Sequence, residues 1–470
     1  MNEEDLCFTP ATALAAAVAA RKLSPVEIVD TVLARIERLE PRINAFATLT
    51  ADRARDAAKE AEARVMSGDT LGPLHGVPVT IKDLANTAGI PTERGSHSEK
   101  GKLPAENAPC VDRLAAAGAI PLGKTTTSEF GWKGVSQSPL TGITHNPWAH
   151  GLNAGASSAG AGAGAAAGYG PLHQGSDGAG SIRMPSHFCG IFGIKPSYGR
   201  VAHLPVGNTD QVSHIGPMTR TVADAALMLR VMSGPHPRDH YSLEAAPADY
   251  PALLSEGDRL RGARIAWSPD LGHARVDDEV AALVAGAVSA FADFGAEIEE
   301  VSPGWGPDGP EIEHFFWAAH ETIYADLLEE FEDRMDPGLV ACIRDGQGYR
   351  AEDYLDMRAR KLAYVEAIHR FFENYDFLLT PAVSVAAFPA DRLSPAHWPD
   401  HPWNWLQWAQ FSYPFNLSHN PAASIPCGFT EAGLPVGLQV VGRRLDDLGV
   451  LQATAAFEAA RPWADKRPAL

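Results

Sequence analysis

Between Gly151 and Gly170 the chain consists almost entirely of glycine, alanine and serine, and this segment constrains the fold more than any other. A flexible linker of this length would carry more charge and less alanine. The run AGAGAGAAAG has instead the composition of a helix whose small side chains allow a neighbouring element to approach closely. We therefore expect a buried helix here, inside a folded domain.

The apolar residues on either side of this segment follow both strand and helix periodicities. Residues 77–81 alternate between apolar and polar positions, which predicts a short strand that ends near Lys82. The stretch CVDRLAAAGAIPLGKT predicts a helix that closes at Gly118 and a strand after it, and residues 1–65 have helical patterns. The runs FLLTPAVSV and GLPVGLQVVG are typical of buried strands. Strands and helices alternate throughout without an internal repeat, which predicts an α/β fold.

Composition narrows the class of protein. The chain has 470 residues with 39 basic and 58 acidic side chains, a formal net charge of −19, which argues against nucleic acid or an anionic membrane as the main partner. Five scattered cysteines form no C-x-x-C pair, so we expect no disulfide framework and no structural zinc site. The acidic N-terminus and its apolar run of only eight residues predict neither a signal peptide nor a membrane span. A cytoplasmic protein is expected.

Several motifs resemble known sites without the structural context that those sites require. GAIPLGKT (118–125) matches the P-loop pattern, but a helix precedes its first glycine and Pro121 removes an amide donor. GAGAGA (160–165) matches the loose dinucleotide pattern, but no strand precedes it. Cys189 is expected to be a buried apolar cysteine. Five histidines lack metal-ligand spacing and are expected in loops or at the surface, namely His145, His150, His173, His187 and His214.

Three other segments form a constellation. Lys82 ends the strand in HGVPVTIKDLAN, Ser157 and Ser158 lie in tandem in NAGASSAGAG, and Ser181 follows a run of tiny residues in GSDGAGSIRMPSHFCG. Together these segments resemble the amidase signature family, whose hallmark is a Ser–Ser–Lys triad. Further matching segments occur in the family's order, namely GKTTTSEF (123–130), GITHNPW (142–148), GIFGIKPSYGRV (190–201), GPMTRTVADAALML (216–229) and GLPVGLQVVG (433–442).

The resemblance implies one large amidase signature domain over residues 1–470, an α/β fold with a mixed β-sheet core and helices on both faces. Residues 1–65 would form an N-terminal helical segment. The resemblance is weakest at about 240–400, a region that is variable in the family and that we expect to shape the substrate site.

The resemblance also implies a mechanism. A serine hydroxyl becomes a good nucleophile only when a base takes its proton, and a lysine can be that base if burial keeps its amine neutral. Lys82 would take a proton through Ser157 from Ser181, which attacks the amide carbonyl, and Ser157 would then protonate the leaving nitrogen. Water would hydrolyse the acyl-enzyme, with no metal or organic cofactor. The Ala156–Ser157 peptide bond is expected to be cis.

The tiny residues before Ser181 fit an oxyanion hole. Backbone N–H groups of Gly178, Ala179, Gly180 and Ser181 can point at the oxyanion of a tetrahedral intermediate, because no large side chain obstructs the approach.

Neighbouring residues are expected to support this turn. Asp177 and Arg183 would hold its shape by hydrogen bonds, and Ser158 would add a supporting hydroxyl. The sequence departs from the family's usual glycines at three positions, which require a negative φ if alanine is to fit without strain, namely Ala156, Ala159 and Ala179.

The substrate is less constrained. Aromatic residues are dense in the variable region and just after it, and such residues often line ligand pockets, namely Phe315, Phe316, Trp317, Tyr324, Trp398, Trp403, Trp405, Trp408, Phe411 and Tyr413. We therefore expect a small-molecule amide with an aromatic or bulky apolar part, although these side chains also suit a core or the interface of a homo-oligomer. A glutaminase subunit of a tRNA-dependent amidotransferase, a non-catalytic binding protein and a Ser–His–Asp hydrolase remain alternatives.

Overall fold

The computed structural model of the chain describes residues 2–207 and 209–470. Its strands are β1 (Phe46–Leu49), β2 (Pro78–Lys82), β3 (Ile120–Thr125), β4 (Gln137–Ser138), β5 (Gly142–Ile143), β6 (His145–Asn146), β7 (Ala149–Asn153), β8 (Leu172–Asp177), β9 (Phe192–Lys195), β10 (His214–Thr219), β11 (Arg264–Trp267), β12 (Glu297–Glu300), β13 (Phe377–Pro381), β14 (Ala422–Phe429) and β15 (Pro435–Gly442). Eleven of them form one sheet in the order β1-β3-β2-β8-β10-β9-β14-β15-β13-β11-β12. The sheet mixes parallel and antiparallel pairs, as the α/β prediction requires.

The helices connect these strands and cover the sheet. They are α1 (Glu3–Cys7), α2 (Ala11–Ala19), α3 (Pro25–Ile43), α4 (Ala51–Ser67), α5 (Pro109–Ala116), α6 (Ala159–Ala167), α7 (Arg183–Cys189), α8 (Val222–Met232), α9 (Tyr250–Leu253), α10 (Asp278–Val288), α11 (Ala290–Asp293), α12 (Gly309–Glu321), α13 (Leu328–Phe331), α14 (Pro337–Gly346), α15 (Ala351–Asn374), α16 (Tyr413–Leu417) and α17 (Asp447–Ala460). Both faces of the sheet are buried, because Phe377 and Leu379 of β13 pack into one apolar cluster while Leu378 between them packs into another.

The expected elements near the reactive residues are confirmed. Strand β2 ends at Lys82, and α5 closes shortly before Gly118 and is followed by β3. All nine residues of α6 are buried, and a Cβ on Gly160 would collide with the carbonyl oxygen of Ala45. The glycine-rich segment is therefore a closely packed helix. Residues 1–65 differ from the purely helical expectation, since β1 interrupts the helices and pairs with β3 at the sheet edge.

The segment that matches the P-loop pattern, GAIPLGKT (118–125), forms strand β3 from Ile120 onward. Lys124 lies in β3 with its side chain fully buried, and its Nζ is 3.2 Å from Asp83 Oδ1. It also donates to Thr92 Oγ1 at 2.7 Å and to the carbonyl of Ala85 at 2.9 Å. This lysine therefore neutralises a buried carboxylate, and the segment cannot cradle phosphate.

Three of the histidines expected in loops or at the surface are instead buried. His173 bonds to Thr80 Oγ1 at 2.8 Å, and His187 bonds through its two ring nitrogens to the carbonyl of Val385 and the N–H of Gly437. His214 is also buried. These imidazoles satisfy backbone and hydroxyl groups inside the core, a role that local sequence does not reveal. Across residues 2–207 and 209–470 no group of His, Cys, Asp or Glu side chains is arranged to hold a metal ion.

None of the helices in the described ranges has the length and apolar character needed to cross a bilayer.

Candidate active site

The fold brings Lys82 to the end of β2, an interior strand of the large sheet. Strand β2 runs parallel to both β3 and β8, so the carboxyl ends of these strands share one edge of the sheet. The Lys82 side chain is fully buried, and its Nζ donates to Ser157 Oγ at 2.8 Å and to Ser176 Oγ at 3.0 Å. The carbonyl of Ser176 lies 3.4 Å from the same nitrogen. Among residues 2–207 and 209–470, Lys82 therefore has three oxygen neighbours and no carboxylate in direct contact.

Ser157 is held between Lys82 and a second loop. The Ala156–Ser157 peptide bond is cis, and the Ala156 N–H donates to the carbonyl of Gly134 at 3.1 Å. On the other side lies Gly131, where an added Cβ would stand 3.1 Å from Ser157 Oγ. The hydroxyl of Ser157 is thus fixed in a space that has no room for another side chain.

Ser181 lies in the turn that follows β8. Its carbonyl accepts a hydrogen bond from Ser158 N–H at 3.2 Å, which places the turn beside the tandem serines. The neighbouring Ser158 hydroxyl donates to the carbonyl of Ser176 at 3.1 Å and so supports the strand that contacts Lys82. In the described part of the chain the Ser181 hydroxyl has no hydrogen-bond partner, neither Ser157 nor any histidine. Catalytic hydrogen bonds are often long before a substrate is bound, so this geometry is compatible with proton transfer in a complex.

The backbone N–H groups of the turn differ in whether they already donate a hydrogen bond within the protein. Gly180, which has a φ of +113°, donates its N–H to Asp177 Oδ1 at 2.7 Å and is therefore not available to face an oxyanion, contrary to expectation. Within the described residues, the N–H groups of Gly178, Ala179 and Ser181 donate to no protein acceptor. An added Cβ on Gly178 would meet nothing within 4 Å, so the turn is open on that side.

The three alanines that replace glycines cause no backbone strain. Positive φ angles occur at the neighbouring Gly155 and Gly180, whereas Ala156, Ala159 and Ala179 all lie outside the positive-φ region. The substitution of alanine at these positions is therefore compatible with the same backbone.

Asp177 and Arg183 form a fully buried ion pair behind the turn. Arg183 Nε and Nη2 donate to the two carboxylate oxygens of Asp177 at 2.9 and 2.8 Å. The remaining guanidinium N–H groups bind three distant acceptors, namely the Ser412 carbonyl at 2.9 Å, Gln439 Oε1 at 2.8 Å and Asn416 Oδ1 at 2.5 Å. All five guanidinium donors are thereby used, and the turn is tied to the C-terminal part of the chain.

Burial shifts the pKa values of the two ionisable groups at the site, Lys82 and Asp177. It lowers the pKa of the Lys82 amine to about 7, and the nearby charge of Asp177 offsets this effect only in part. Burial alone would raise the pKa of Asp177, but the Arg183 guanidinium outweighs that effect and keeps the pKa well below its usual range. Near neutral pH the site therefore combines an ionised carboxylate with an amine of which a large fraction is uncharged.

Aromatic side chains surround the loop that contacts Ser157. Phe130, a non-glycine residue with a φ of +50°, stacks on Tyr324 with ring centroids 4.1 Å apart, and both rings are partly exposed. Trp405 and Trp408 close over Gly134 and are buried, and Trp405 Nε1 donates to the Trp132 carbonyl at 2.9 Å. The tryptophans are thus core residues behind the loop, whereas the Phe130–Tyr324 pair faces partly outward.

A cavity of about 1000 Å³ is lined in part by residues of the same loop. Lys133, Val135 and Asp336 line it, but Lys82, Ser157 and Ser181 do not. The cavity by itself therefore does not mark the reaction site.

Several residues of the site were not predicted from the sequence. Ser176 contacts Lys82 directly, and its position two residues after Gln174 on β8 could have indicated this, because β8 is the strand beside β2. Asn416 and Gln439 carry no local signal, because they meet Arg183 only through long-range folding.

Comparison with known proteins places the chain among amidases. The sequence model of the amidase family matches residues 27–451. An acylamidase of Rhodococcus erythropolis is 40% identical, with 100% of this chain and 99% of that protein covered. A subunit of the glutamyl-tRNA(Gln) amidotransferase of Chloroflexus aurantiacus is 34% identical, with 98% of each chain covered. The crystal structure of a bacterial aryl acylamidase of the amidase signature family superposes with a TM-score of 0.91 at 28% identity, over 97% of each chain.

Proposed function

This chain belongs to the amidase signature family, and we propose that it hydrolyses linear amides through an acyl-enzyme formed on Ser181. The observation that carries the proposal is the 2.8 Å contact between the buried Lys82 amine and Ser157 Oγ, beside the turn that bears Ser181. A neutral amine has two N–H groups and one lone pair. In this neutral form the N–H groups can be directed to the two Ser176 oxygens, so the 2.8 Å contact with Ser157 reverses and its hydroxyl donates to the amine lone pair.

The proton then moves in two stages. Ser157 passes its proton to Lys82 and takes the proton of Ser181, whose oxygen attacks the amide carbonyl carbon. The oxyanion is stabilised by N–H groups of the turn, for which the unengaged amides of Gly178, Ala179 and Ser181 are available. Ser157 next donates a proton to the leaving nitrogen and regains one from Lys82, and water repeats the sequence on the ester.

The substrate we propose is an amide that carries an aromatic or bulky apolar group. The partly exposed Phe130–Tyr324 stack next to Gly131 supports this choice, because a planar ring can extend such a stack beside Ser157. The identity to the acylamidase is higher than the identity to the amidotransferase component, which favours hydrolysis of acyl amides over glutamine. We further propose that the protein acts in the cytoplasm without a metal, an organic cofactor, nucleic acid or a membrane.

The test combines active-site labelling with a substrate panel. A fluorophosphonate should label the native protein at Ser181 and leave Ser181→Ala unlabelled, and Lys82→Ala should slow labelling by at least 100-fold. Anilides should be hydrolysed faster than glutamine, and chelators should not change the rate. Labelling of Ser181→Ala at the native rate would contradict the proposal, and near-native labelling of Lys82→Ala would favour a Ser–His–Asp hydrolase.

A matched variant controls for loss of packing. Ser186→Ala removes a buried hydroxyl of α7 whose one hydrogen bond within the described ranges goes to the Ile182 carbonyl at 2.8 Å. It should retain labelling and turnover within about twofold, so that a general effect of removing a hydroxyl near the turn is excluded.

A further inference from the structure

The loop before β10 lies against the turn that bears Ser181. Strands β8 and β10 are antiparallel, and Asp177 at the end of β8 pairs with His214 at the start of β10. The residues before His214 therefore leave the sheet where the turn of Ser181 begins. Val212 in this loop packs in the same apolar cluster as Ala179 of the turn.

One side chain links the loop and the turn directly. Asn416 Nδ2 lies 3.2 Å from the carbonyl oxygen of Val212 and 2.9 Å from the carbonyl oxygen of Asp177. The same Asn416 accepts a hydrogen bond from Arg183, so one side chain contacts the loop, the end of β8 and the ion pair behind Ser181.

Asp210 anchors the loop on its other side. Tyr354 Oη donates to Asp210 Oδ2 at 2.8 Å, Lys361 Nζ lies 3.2 Å from the same oxygen, and His320 Nε2 lies 3.7 Å from it. These three partners come from α12 and α15, in the region between residues 240 and 400. The side chains of Lys361 and His320 are only 9% exposed, so this contact is shielded from solvent.

The backbone at the anchor is strained. Asp210 and Gln211 have φ angles of +53° and +66°, in the left-handed region that non-glycine residues rarely adopt. Such a conformation is unfavourable for a residue like Gln211 and persists only where contacts enforce it. The side-chain contacts of Asp210 hold this end of the loop, and the hydrogen bond from Asn416 to the Val212 carbonyl holds the other.

We propose that Asp210 is a positioning residue, which fixes residues 209–213 as a wall of the substrate site and so lets α12 and α15 set the fit of the substrate beside Ser181. The proposal rests on the proposed hydrolysis at Ser181. Asp210 takes no part in proton transfer; its charge holds Val212 against the turn.

The test is Asp210→Asn, which keeps the shape of the side chain and an acceptor for Tyr354 but removes the charge that faces Lys361. For an anilide substrate we expect KM to rise at least fivefold while kcat stays within about twofold. Fluorophosphonate labelling of Ser181 should remain within twofold of native, which separates this proposal from the proposed function. Tyr354→Phe, which keeps the ion pair, should produce a smaller rise in KM.

Glu311→Gln is the matched control. Glu311 pairs with Arg360 at 2.6 Å and joins the same two helices, α12 and α15, but at the exposed surface. Its KM should equal the native value. If Asp210→Asn lowers only the melting temperature with KM unchanged, or if Glu311→Gln raises KM as much, the proposal is wrong.

A second variant covers a failure of Asp210→Asn to fold. In Asp210→Asn with Lys361→Met no unpaired ammonium remains buried, so the protein should fold while the loop still lacks its ionic anchor. The double variant should show the same rise in KM, and a native KM in this variant would overturn the proposal.

Discussion

The state of Lys82 depends on how its neighbours are paired. A buried ammonium remains charged when a carboxylate contacts it. Asp83, the residue after Lys82, contacts Lys124 of the neighbouring strand β3 in this way. Within the part of the chain that the structure describes, Lys82 contacts only hydroxyl and carbonyl oxygens, and the nearby Asp177 is already paired with Arg183. The carboxyl ends of β2 and β3 therefore carry two buried lysines in different environments, and of the two only Lys124 has a direct ionic partner among the described residues.

The pH dependence of hydrolysis follows from this environment. Burial lowers the pKa of Lys82 to about 7, and the base must be uncharged to accept a proton from Ser157. Below pH 7 the ammonium predominates, so kcat/KM on a non-ionising anilide should fall about tenfold per pH unit, and above pH 8 it should reach a plateau. A pH–rate profile between pH 5 and 9 measures this. A rate that stays constant from pH 5.5 to 8.5 would exclude Lys82 as the base.

Gly131 tests the space around Ser157. Alanine at this position would be strained, because φ is +85°, and its Cβ would stand 3.1 Å from Ser157 Oγ and 3.0 Å from Leu84 Cδ1. We expect Gly131→Ala to lower kcat by roughly 100-fold, since small displacements of reacting groups have effects of that size.

The control for Gly131 is Gly151→Ala. Gly151 has a φ of +90° and no neighbouring atom within 4 Å of an added Cβ, so it carries the same backbone strain without the contact. Both variants should lose about 1–2 kcal/mol in the free energy of unfolding, and only Gly131→Ala should lose activity. Equal activity in the two variants would show that Ser157 tolerates the added methyl group.

At the scale of elements, the sequence correctly predicted those helices and strands whose position is set by the periodicity of their own side chains. The alternation before Lys82 and the closure of α5 near Gly118 reflect the side-chain periods of strands and helices, and both were placed correctly. The interruption of the N-terminal helices by β1 was missed, because that strand is only four residues long and exists by pairing with β3. Burial of His173 and His187 was missed for the same reason, since their partners lie on other elements.

The prediction at this scale concerns α6. A Cβ on Gly160 would collide with the Ala45 carbonyl and lie 2.6 Å from Thr126 N, and neither backbone atom can move without shifting β1 or β3. Although alanine favours a helix by about 1 kcal/mol over glycine, overpacking of this kind costs about 1–3 kcal/mol or more. Gly160→Ala should therefore lower the urea midpoint of unfolding.

Gly164→Ala on the same helix is the comparison. Its nearest neighbours are side-chain atoms of His173 at 3.2 Å and of Tyr169 at 3.5 Å, which can adjust. Its urea midpoint should stay close to the native value. If both variants unfold at the same urea concentration, close packing of α6 is not what requires glycine at position 160.

At the scale of the whole molecule, the site is assembled where three apolar clusters meet. Ile81 beside Lys82 belongs to one cluster, Ala154 before the tandem serines to a second, and Ala179 in the turn to a third. Resemblance to a family indicated the three reactive positions, because each lies in an extended motif. The residues that hold the turn from the C-terminal part of the chain could not be predicted, since their roles depend on contacts across more than 200 residues of sequence.

Arg183 is the residue through which this long-range assembly can be tested. Its planar guanidinium binds Asp177 with two N–H groups and reaches Ser412, Asn416 and Gln439 with the others. Lysine keeps the charge but has a single nitrogen with three N–H groups, so Arg183→Lys would leave buried acceptors without donors. Because disruption of a buried pair costs about 3–5 kcal/mol, we expect Arg183→Lys to lose about 3 kcal/mol in the free energy of unfolding and to label slowly with a fluorophosphonate.

Arg360→Lys, at the exposed pair with Glu311, should change stability by less than about 1 kcal/mol. Urea unfolding of the two variants measures the difference, and equal midpoints would mean that the C-terminal contacts of Arg183 contribute nothing to holding the turn.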